Sequence, residues 1–197
     1  MNYPEFFNDI EKIVLKDELS AFLGTFENGE VEFSYLDVVK SAGHSCPTVA
    51  GAYLSTLFGL SALHVDEVAT RGNIKVYFKD SVDFETTGVV ANVISNITGA
   101  ASDSGFKGIK GNFARDNLMQ FSSDIDSFVR FERIDNGKIV DVYYDPSSVA
   151  PSLSQMKLMQ LIMSANASSE EKIEFGRLWQ DRVKRVFENR DMVISTK

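Results

Sequence analysis

The sequence predicts an α+β fold, in which a mixed or antiparallel sheet packs against helices and a helical extension follows at the C-terminus. Three observations lead to this prediction. Segments that alternate apolar and polar residues, typical of half-buried strands, are interspersed with apolar segments of helical length. No regular strand, helix, strand rhythm is present, which disfavours a parallel α/β sheet. The C-terminal portion shows helical periodicity throughout.

The N-terminal portion predicts one helix and then a pair of strands. From Pro4 to about Lys16 the apolar residues share one side of a helical wheel, which favours an amphipathic helix. The stretch SAFLGTFENGEVEF that follows predicts two strands joined by a turn at Asn28 and Gly29. A short helical turn then leads to Gly43.

The middle of the chain predicts two apolar helices separated by a strand. Pro47 suits the first position of a helix, and small and apolar residues continue to about Leu63. NIKVYFKD predicts a strand whose buried face carries Ile74, Val76 and Phe78. The second helix, GVVANVISNITG, runs into the glycine-rich stretch ASDSGFKGIKGNFARDN.

The remaining segments predict a hairpin and two more helices. SFVRFERIDNGKIVDVYYDP reads as two alternating strands that turn between Asp135 and Lys138. The last long helix begins after a cap at Ser168 or Ser169. We therefore expect a core domain over residues 1–150 and a helical extension over 151–197, which packs on the core or on a dimer partner. A stripe of apolar residues on these helices supports a homodimer: Met156, Met159, Met163 and Trp179.

Composition excludes several classes of protein. The 197 residues are 44% hydrophobic and 24% charged, as in an ordinary soluble globular protein. A formal charge of -8 disfavours nucleic acid as a partner, because that affinity comes mainly from Lys and Arg. No apolar run approaches the ~18 residues of a membrane span and no signal peptide opens the chain, so we expect no membrane association and a cytoplasmic location. The single cysteine has no partner for an internal disulfide.

That cysteine lies in the stretch with the most specific chemistry, KSAGHSCPTVAGAYL. If Cys46 is the N-cap of the helix that starts at Pro47, unpaired N–H groups and the helix dipole favour its thiolate form. A thiolate is a nucleophile and a metal ligand, and His44 two residues earlier is suited to serve as a second ligand or as a base. The plain alternative is a small packed thiol. His64, the other histidine, is expected to be a charge partner of the helix C-terminus rather than a ligand.

The run GHSCPTVAGAYL resembles the Gly-His-x-Cys-Pro motif of the FmdE-like family of formylmethanofuran dehydrogenase proteins, and VVANVISNITGAASDSGFKGIKGN resembles its second helix and Thr-Gly loop. The resemblance covers about Tyr35 to Asp145. It implies an α+β fold, a dimer, and a divalent metal, zinc above all, held by His44 and Cys46. The usual cysteine, aspartate and cysteine of the second motif are replaced here by Val89, Asn92 and Ala100. Other ligands, a second protomer or water would then complete the metal site.

The glycine-rich stretch predicts a second kind of site. Gly105, Gly108 and Gly111, with three cations, are suited to present N–H groups and positive charge to a phosphate or carboxylate. The cations are Lys107, Lys110 and Arg115. The plain alternative is a solvent-facing loop. If an anion binds, we expect it near the His44 helix, because the two apolar helices are expected to be neighbours.

Three functions remain open from the sequence. The leading one is a metal-binding or small-ligand-binding protein of the FmdE type, with His44 and Cys46 as a half-site. The second is a single-thiol enzyme with Cys46 as nucleophile and His44 as base. The third is a non-catalytic interaction protein whose metal site has decayed, which Val89 and Ala100 favour.

Overall fold

The α+β prediction is confirmed by the computed structural model of the protein, which describes residues 2–197. Met1, the first residue of the predicted core domain, lies outside the described residues. The described chain contains a three-stranded sheet of order β2-β1-β3 and a five-stranded sheet of order β5-β4-β6-β7-β8. Both are mixed, because β1 pairs with β3 and β4 pairs with β5 in parallel while the other pairs are antiparallel.

The elements follow one another with short connections apart from the glycine-rich stretch. The strands are β1 (Ile13–Lys16), β2 (Glu30–Phe33), β3 (Ala69–Thr70), β4 (Ile74–Tyr77), β5 (Met119–Gln120), β6 (Val129–Arg133), β7 (Ile139–Tyr144) and β8 (Ile194–Thr196). The helices are α1 (Glu18–Phe22), α2 (Tyr35–Ala42), α3 (Pro47–Leu63), α4 (Thr87–Thr98), α5 (Leu153–Met163), α6 (Ser169–Glu188) and α7 (Arg190–Val193). Glu5–Asp9, Glu27–Gly29 and Pro146–Val149 are short 3-10 helices.

Helix α3 forms the centre of the core. It is apolar on all sides, as expected for a helix surrounded by other elements, and it packs against α2, α4, α6 and the strands β6, β7 and β8. Two of its glycines allow this close packing: a Cβ at Gly51 would overlap the ring of Tyr144, and one at Gly59 would overlap Phe131. Each fully buried aliphatic side chain, such as Leu54, contributes roughly 1.5–3 kcal/mol.

Several predicted elements are confirmed in place. Helix α3 begins at Pro47 and ends at Leu63, and the buried face of β4 carries Ile74 and Val76. The hairpin forms from β6 and β7, with Gly137 at a φ of 71° in its turn. Helix α6 starts after Ser168, whose side chain accepts from the N–H of Glu171.

The predicted N-terminal helix over residues 4–16 is wrong. A 3-10 helix covers Glu5–Asp9, and β1 follows at Ile13–Lys16. Ile13 and Leu15 are buried while the residues between and after them are exposed, so the pattern has the period of a strand. Short apolar segments fit both periods, and the pairing of β1 with β2 and β3 decides the outcome.

The predicted strand before the Asn28 turn is also wrong. Helix α1 occupies Glu18–Phe22, because the side chain of Asp17 caps it by accepting from the N–H of Ser20 at 3.0 Å. Asn28 and Gly29 do form a turn with positive φ, of 54° and 71°, but it connects α1 to β2.

The C-terminal portion is helical as predicted, except for its last residues. Ile194–Thr196 forms β8, which pairs with β7 and so joins the five-stranded sheet. Among residues 2–197, no helix combines the length and the apolarity needed to cross a lipid bilayer.

Candidate functional site

The tight connection between α2 and α3 carries both predicted metal ligands, His44 and Cys46. Helix α2 ends at Ala42 and is capped by Gly43, whose φ of 76° lies in the left-handed region that reverses the chain. Four residues after Gly43, α3 begins at Pro47 with Cys46 as its N-cap. The Cys46 sulfur accepts from the N–H of Val49 at 3.4 Å, and the residue is only 9% exposed. The N-cap prediction is therefore confirmed, and the sulfur already serves a structural role.

The main chain of this connection is fixed by α6. Trp179 Nε1 donates to the carbonyl oxygen of Ser45 at 3.0 Å, and Gln180 Nε2 donates to the same oxygen at 3.2 Å. The hydroxyls of Ser45 and Tyr35 lie 2.9 Å apart. Three side chains from two helices thus hold the residue that lies between His44 and Cys46.

The start of α3 is fixed by the sheet. The hydroxyl of Tyr144 in β7 donates to the carbonyl of Pro47 at 2.7 Å. Burial raises the pKa of both Tyr35 and Tyr144 well above the ordinary value. Both phenols therefore stay protonated at neutral pH and remain hydrogen-bond donors.

His44 presents a free ring nitrogen to a small pocket. Its side chain is exposed, and Nδ1 lies 3.1 Å from the carbonyl of Ala42. Since a carbonyl only accepts, this contact requires a proton on Nδ1, and in the neutral ring Nε2 is then the acceptor. The pocket has a volume of about 140 Å³ and lies between α2 and α4. Its lining residues are Val38, Ser41, Ala42, His44, Val89, Asn92, Val93 and Asn96.

Two asparagines of this pocket are not identified as site residues by the sequence. Asn92 and Asn96 are four residues apart, so they lie on the same face of α4, one turn from each other. Asn92 stands out in the sequence only as a departure from a family pattern, and the repeat of the amide four residues later is the signal that would have identified a polar face. Cys46 does not line the pocket, and no hydrogen bond joins it to His44 within residues 2–197.

The residues near His44 do not fit a zinc site formed by one chain. Nowhere in the described chain do three or more His, Cys, Asp or Glu side chains cluster as a metal would require. Structural zinc sites use four protein ligands and catalytic sites use three, whereas the pocket offers one imidazole beside neutral amides. Val89 and Asn92 face this pocket, and Ala100 is fully buried beyond the end of α4.

No model of a known protein family matches the chain. No curated protein sequence matches it either. Inferences about function therefore rest on the geometry of the pockets and on the residues that line them.

Among the residues of the predicted anion site, Arg115 and Gly111 line one cavity, whereas Gly105 and Gly108 pack against the loop itself. Gly105 approaches the backbone of Asp116, and Gly108 approaches that of Asn112, so closely that a Cβ at either position would overlap main-chain atoms. Lys107 is paired with Asp116 at 3.0 Å. These glycines are thus explained by close contact of the loop with itself.

Arg115 and Lys110 have different environments from each other. Lys110 is exposed, with a φ of 49°. Arg115 is buried, and its Nη2 donates to Asp17 Oδ1 at 2.8 Å. Arg115 lines a cavity of about 500 Å³ that also includes Arg71 and Gly111, and neither His44 nor Cys46 contributes to that cavity.

His64 is not the expected charge partner of the helix C-terminus. The residue is 8% exposed, and neither ring nitrogen has a hydrogen-bond partner. Burial, followed by the charge of Arg133, lowers its pKa below the ordinary value despite the opposing effect of Glu67, so the ring is neutral at pH 7. Lys138 provides the cation instead, since its Nζ donates to the carbonyls of Ala62 at 2.7 Å and Leu63 at 3.2 Å.

Proposed function

We propose that this protein is a small-ligand-binding protein of the FmdE type, and that the pocket between α2 and α4 is its ligand site. The observation that carries the proposal is the hydrogen bonding of the two ring nitrogens of His44. Its Nδ1 lies 3.1 Å from the carbonyl of Ala42, which makes Nε2 the acceptor of the neutral ring, and His44 lines the pocket. An imidazole oriented in this way is a ready acceptor for a ligand.

The position of the resemblance supports the same pocket. His44 comes from the first matching motif, and Val89 and Asn92 occupy positions where that family usually carries metal-binding side chains in the second. All three line one cavity. Replacement of those side chains by a valine and an amide favours a site that binds its ligand by hydrogen bonds and packing.

The lining residues indicate the chemistry of the ligand. None of the described residues that line this pocket carries a formal charge when His44 is neutral. A volume of about 140 Å³ equals the space of about five water molecules in the liquid. We therefore propose a neutral polar group of a few heavy atoms, either a small molecule or the end of a larger one, which donates to His44 Nε2 and pairs with Asn92 or Asn96.

The two histidines allow a direct test by nuclear magnetic resonance. The ring nitrogens of His44 and His64 give separate signals, and the buried His64 serves as an internal reference. The protein is titrated with a panel of small amides, alcohols and amines, and separately with Zn²⁺. We expect neutral donors to shift the Nε2 signal of His44 in a saturable manner and to leave His64 in place.

Matched variants identify the site. Asn92→Ala should weaken binding of the same compound, and His44→Ala should abolish it, whereas Asn166→Ala, an exposed asparagine on the loop before α6, should have no effect. If no compound shifts the His44 signal, or if His44→Ala binds as well as the wild type, the proposal is wrong. Zinc that binds only when both His44 and Cys46 are present would instead establish the metal half-site, with the sulfur released from the N–H of Val49.

A further inference from the structure

A pair of arginines beside the glycine-rich loop, the buried Arg115 and the partly exposed Arg71, contains more positive charge than its shared carboxylate neutralises. Asp17 is the shared partner: its Oδ2 accepts from Arg71 Nη1 at 3.0 Å and its Oδ1 accepts from Arg115 Nη2 at 2.8 Å. Asp17 and Arg115 are 6% and 8% exposed. The two guanidinium groups share Asp17 as their one hydrogen-bonded carboxylate within residues 2–197. The exposed Glu18 attracts Arg115 only weakly through solvent, so positive charge exceeds negative charge around Asp17.

Structural roles account for most of this cluster. Asp17 caps α1 by accepting from Ser20. Arg71 binds the last carbonyls of α4, with Nε to Ile97 at 3.0 Å and Nη2 to Asn96 at 3.0 Å, and thereby caps that helix. Each of these groups would be explained without any ligand.

Arg115 has a donor that those roles leave unused. Its Nη1 is buried and has no hydrogen-bond partner within residues 2–197. Gly72 and Gly99, with φ values of 83° and 74°, make room for the guanidinium, because a Cβ at either position would overlap Nη1. Buried donors in folded proteins nearly always have a hydrogen-bond partner, and a charged donor is destabilising when it lacks one, so a partner is expected at this site.

A cavity of suitable size borders the same arginines. Its volume is about 500 Å³, within the range of roughly 300–1,000 Å³ typical of small-molecule sites. Arg71, Gly72 and Arg115 line it on one side, and Asn112 lines it from the glycine-rich loop. Glu18 is the one carboxylate among the described lining residues.

We propose that this cavity binds a small molecule through an oxyanion group, a carboxylate or a phosphate, which neutralises the excess charge of Arg71 and Arg115. Arg115 is the main recognition residue, because its side chain lines the cavity and its Nη1 has no hydrogen-bond partner within residues 2–197. The loop residue Asn112 lines the cavity, and Glu18 weakens binding by repulsion. This site is separate from the His44 pocket, and the inference does not depend on the function proposed for that pocket.

Two exposed residues permit a test that leaves the ion pairs of Arg71 and Arg115 with Asp17 intact. Glu18→Gln removes the repelling charge, and Asn112→Asp adds one, so the two variants shift the affinity in opposite directions. For one unit charge at a solvent-facing rim, we expect roughly a threefold to tenfold change each way. Glu5→Gln and Gln160→Glu make the same changes in net charge at exposed positions that do not line the cavity, and serve as controls.

The affinity is measured by isothermal titration calorimetry at low ionic strength, with inorganic phosphate, succinate and the neutral succinamide as probes. Support for the proposal is saturable binding of phosphate or succinate, tightened by Glu18→Gln, weakened by Asn112→Asp, and unchanged in both controls and in His44→Ala. The anion that binds with the lower dissociation constant then gives the chemical class of the ligand. The Arg115 Nε–H resonance should shift with the same dissociation constant. Absence of binding in both the wild type and Glu18→Gln, equal binding of succinamide, or equal effects of the control variants would overturn it.

Discussion

The indole Nε1 of Trp179 donates a hydrogen bond of 3.0 Å to the carbonyl of Ser45, although the two residues are 134 positions apart in the sequence. Through this bond, α6 holds the turn that carries His44 and Cys46. The orientation of the pocket histidine therefore depends on a helix in the C-terminal portion of the chain.

Removal of that hydrogen bond should loosen the turn. Trp179→Phe keeps an aromatic ring but loses the donor, and we expect the free energy of unfolding to fall by about 1 kcal/mol. Alkylation of Cys46, which is buried in the wild type, should become faster. Urea unfolding and the rate of reaction with iodoacetamide measure the two effects. Arg177→Ala, a change at an exposed position of α6, is the control, and an equal increase of the alkylation rate in that variant would contradict the prediction.

Cys46 should be replaceable by another capping residue. Serine is a favoured N-cap, so the free energy of unfolding of Cys46→Ser should lie within about 0.5 kcal/mol of the wild-type value. That of Cys46→Ala should be about 1 kcal/mol lower, because the cap is lost. Thermal and urea unfolding of the two variants give the comparison. If the serine and alanine variants are equally unstable, the sulfur contributes by packing and the cap is energetically unimportant.

Two helical glycines should respond in opposite ways to alanine. A Cβ at Gly51 would overlap the ring of Tyr144, so Gly51→Ala should cost about 1–3 kcal/mol and disturb the hydrogen bond from Tyr144 to Pro47. A Cβ at Gly176 in α6 meets nothing within 4 Å, so Gly176→Ala should stabilise the protein by about 0.5–1 kcal/mol. Both substitutions change the intrinsic helix propensity by the same amount. Unfolding by urea therefore shows whether the tertiary contact decides if alanine stabilises or destabilises the protein.

The buried imidazole of His64 should make stability depend on pH. Burial lowers its pKa in the folded state below the unfolded value of about 6.5, so the unfolded chain binds more protons as the pH falls below that value. The contribution of His64 therefore lowers the free energy of unfolding between pH 7 and pH 5. Arg133, Glu67 and Asp135 are the charged groups that act on the ring.

Substitution of His64 by an apolar residue isolates this effect. His64→Leu should reduce the loss of stability between pH 7 and pH 5, and it should raise stability at pH 7 by about 1 kcal/mol because both ring nitrogens lack partners. Urea unfolding at several pH values measures both. The His44→Gln variant is measured in parallel as the control. A pH dependence that disappears in His44→Gln but persists in His64→Leu would contradict the prediction and assign the effect to His44.

Local signals in the sequence are sufficient for the elements with a clear start or period. Pro47 predicts the beginning of α3, and a serine cap at Ser168 or Ser169 predicts that of α6, where the structure has Ser168. The hairpin of β6 and β7 follows from alternation around an Asn-Gly turn. These features depend on interactions within a few residues, which a sequence expresses directly.

The N-terminal errors arise where two periods fit the same residues. Ile13 and Val14 satisfy a helical wheel, and only the pairing of β1 with β2 and β3 favours a strand there. Helix α1 is short, and the cap at Asp17 is its main local signal, which the strand prediction for this segment overlooks.

The sequence by itself determined the α+β class and the start of α3 at Pro47, and it singled out Cys46 as a candidate N-cap and His44 and Arg115 as candidate site residues. Only the tertiary structure decided what surrounds these residues: Asn92 and Asn96 beside His44, and Asp17 and Arg71 beside Arg115. The reason is physical. Caps and turns are formed by hydrogen bonds across three or four residues, whereas a pocket or a buried charge cluster joins segments as far apart as Asp17 and Arg115, whose proximity depends on the packing of the whole core.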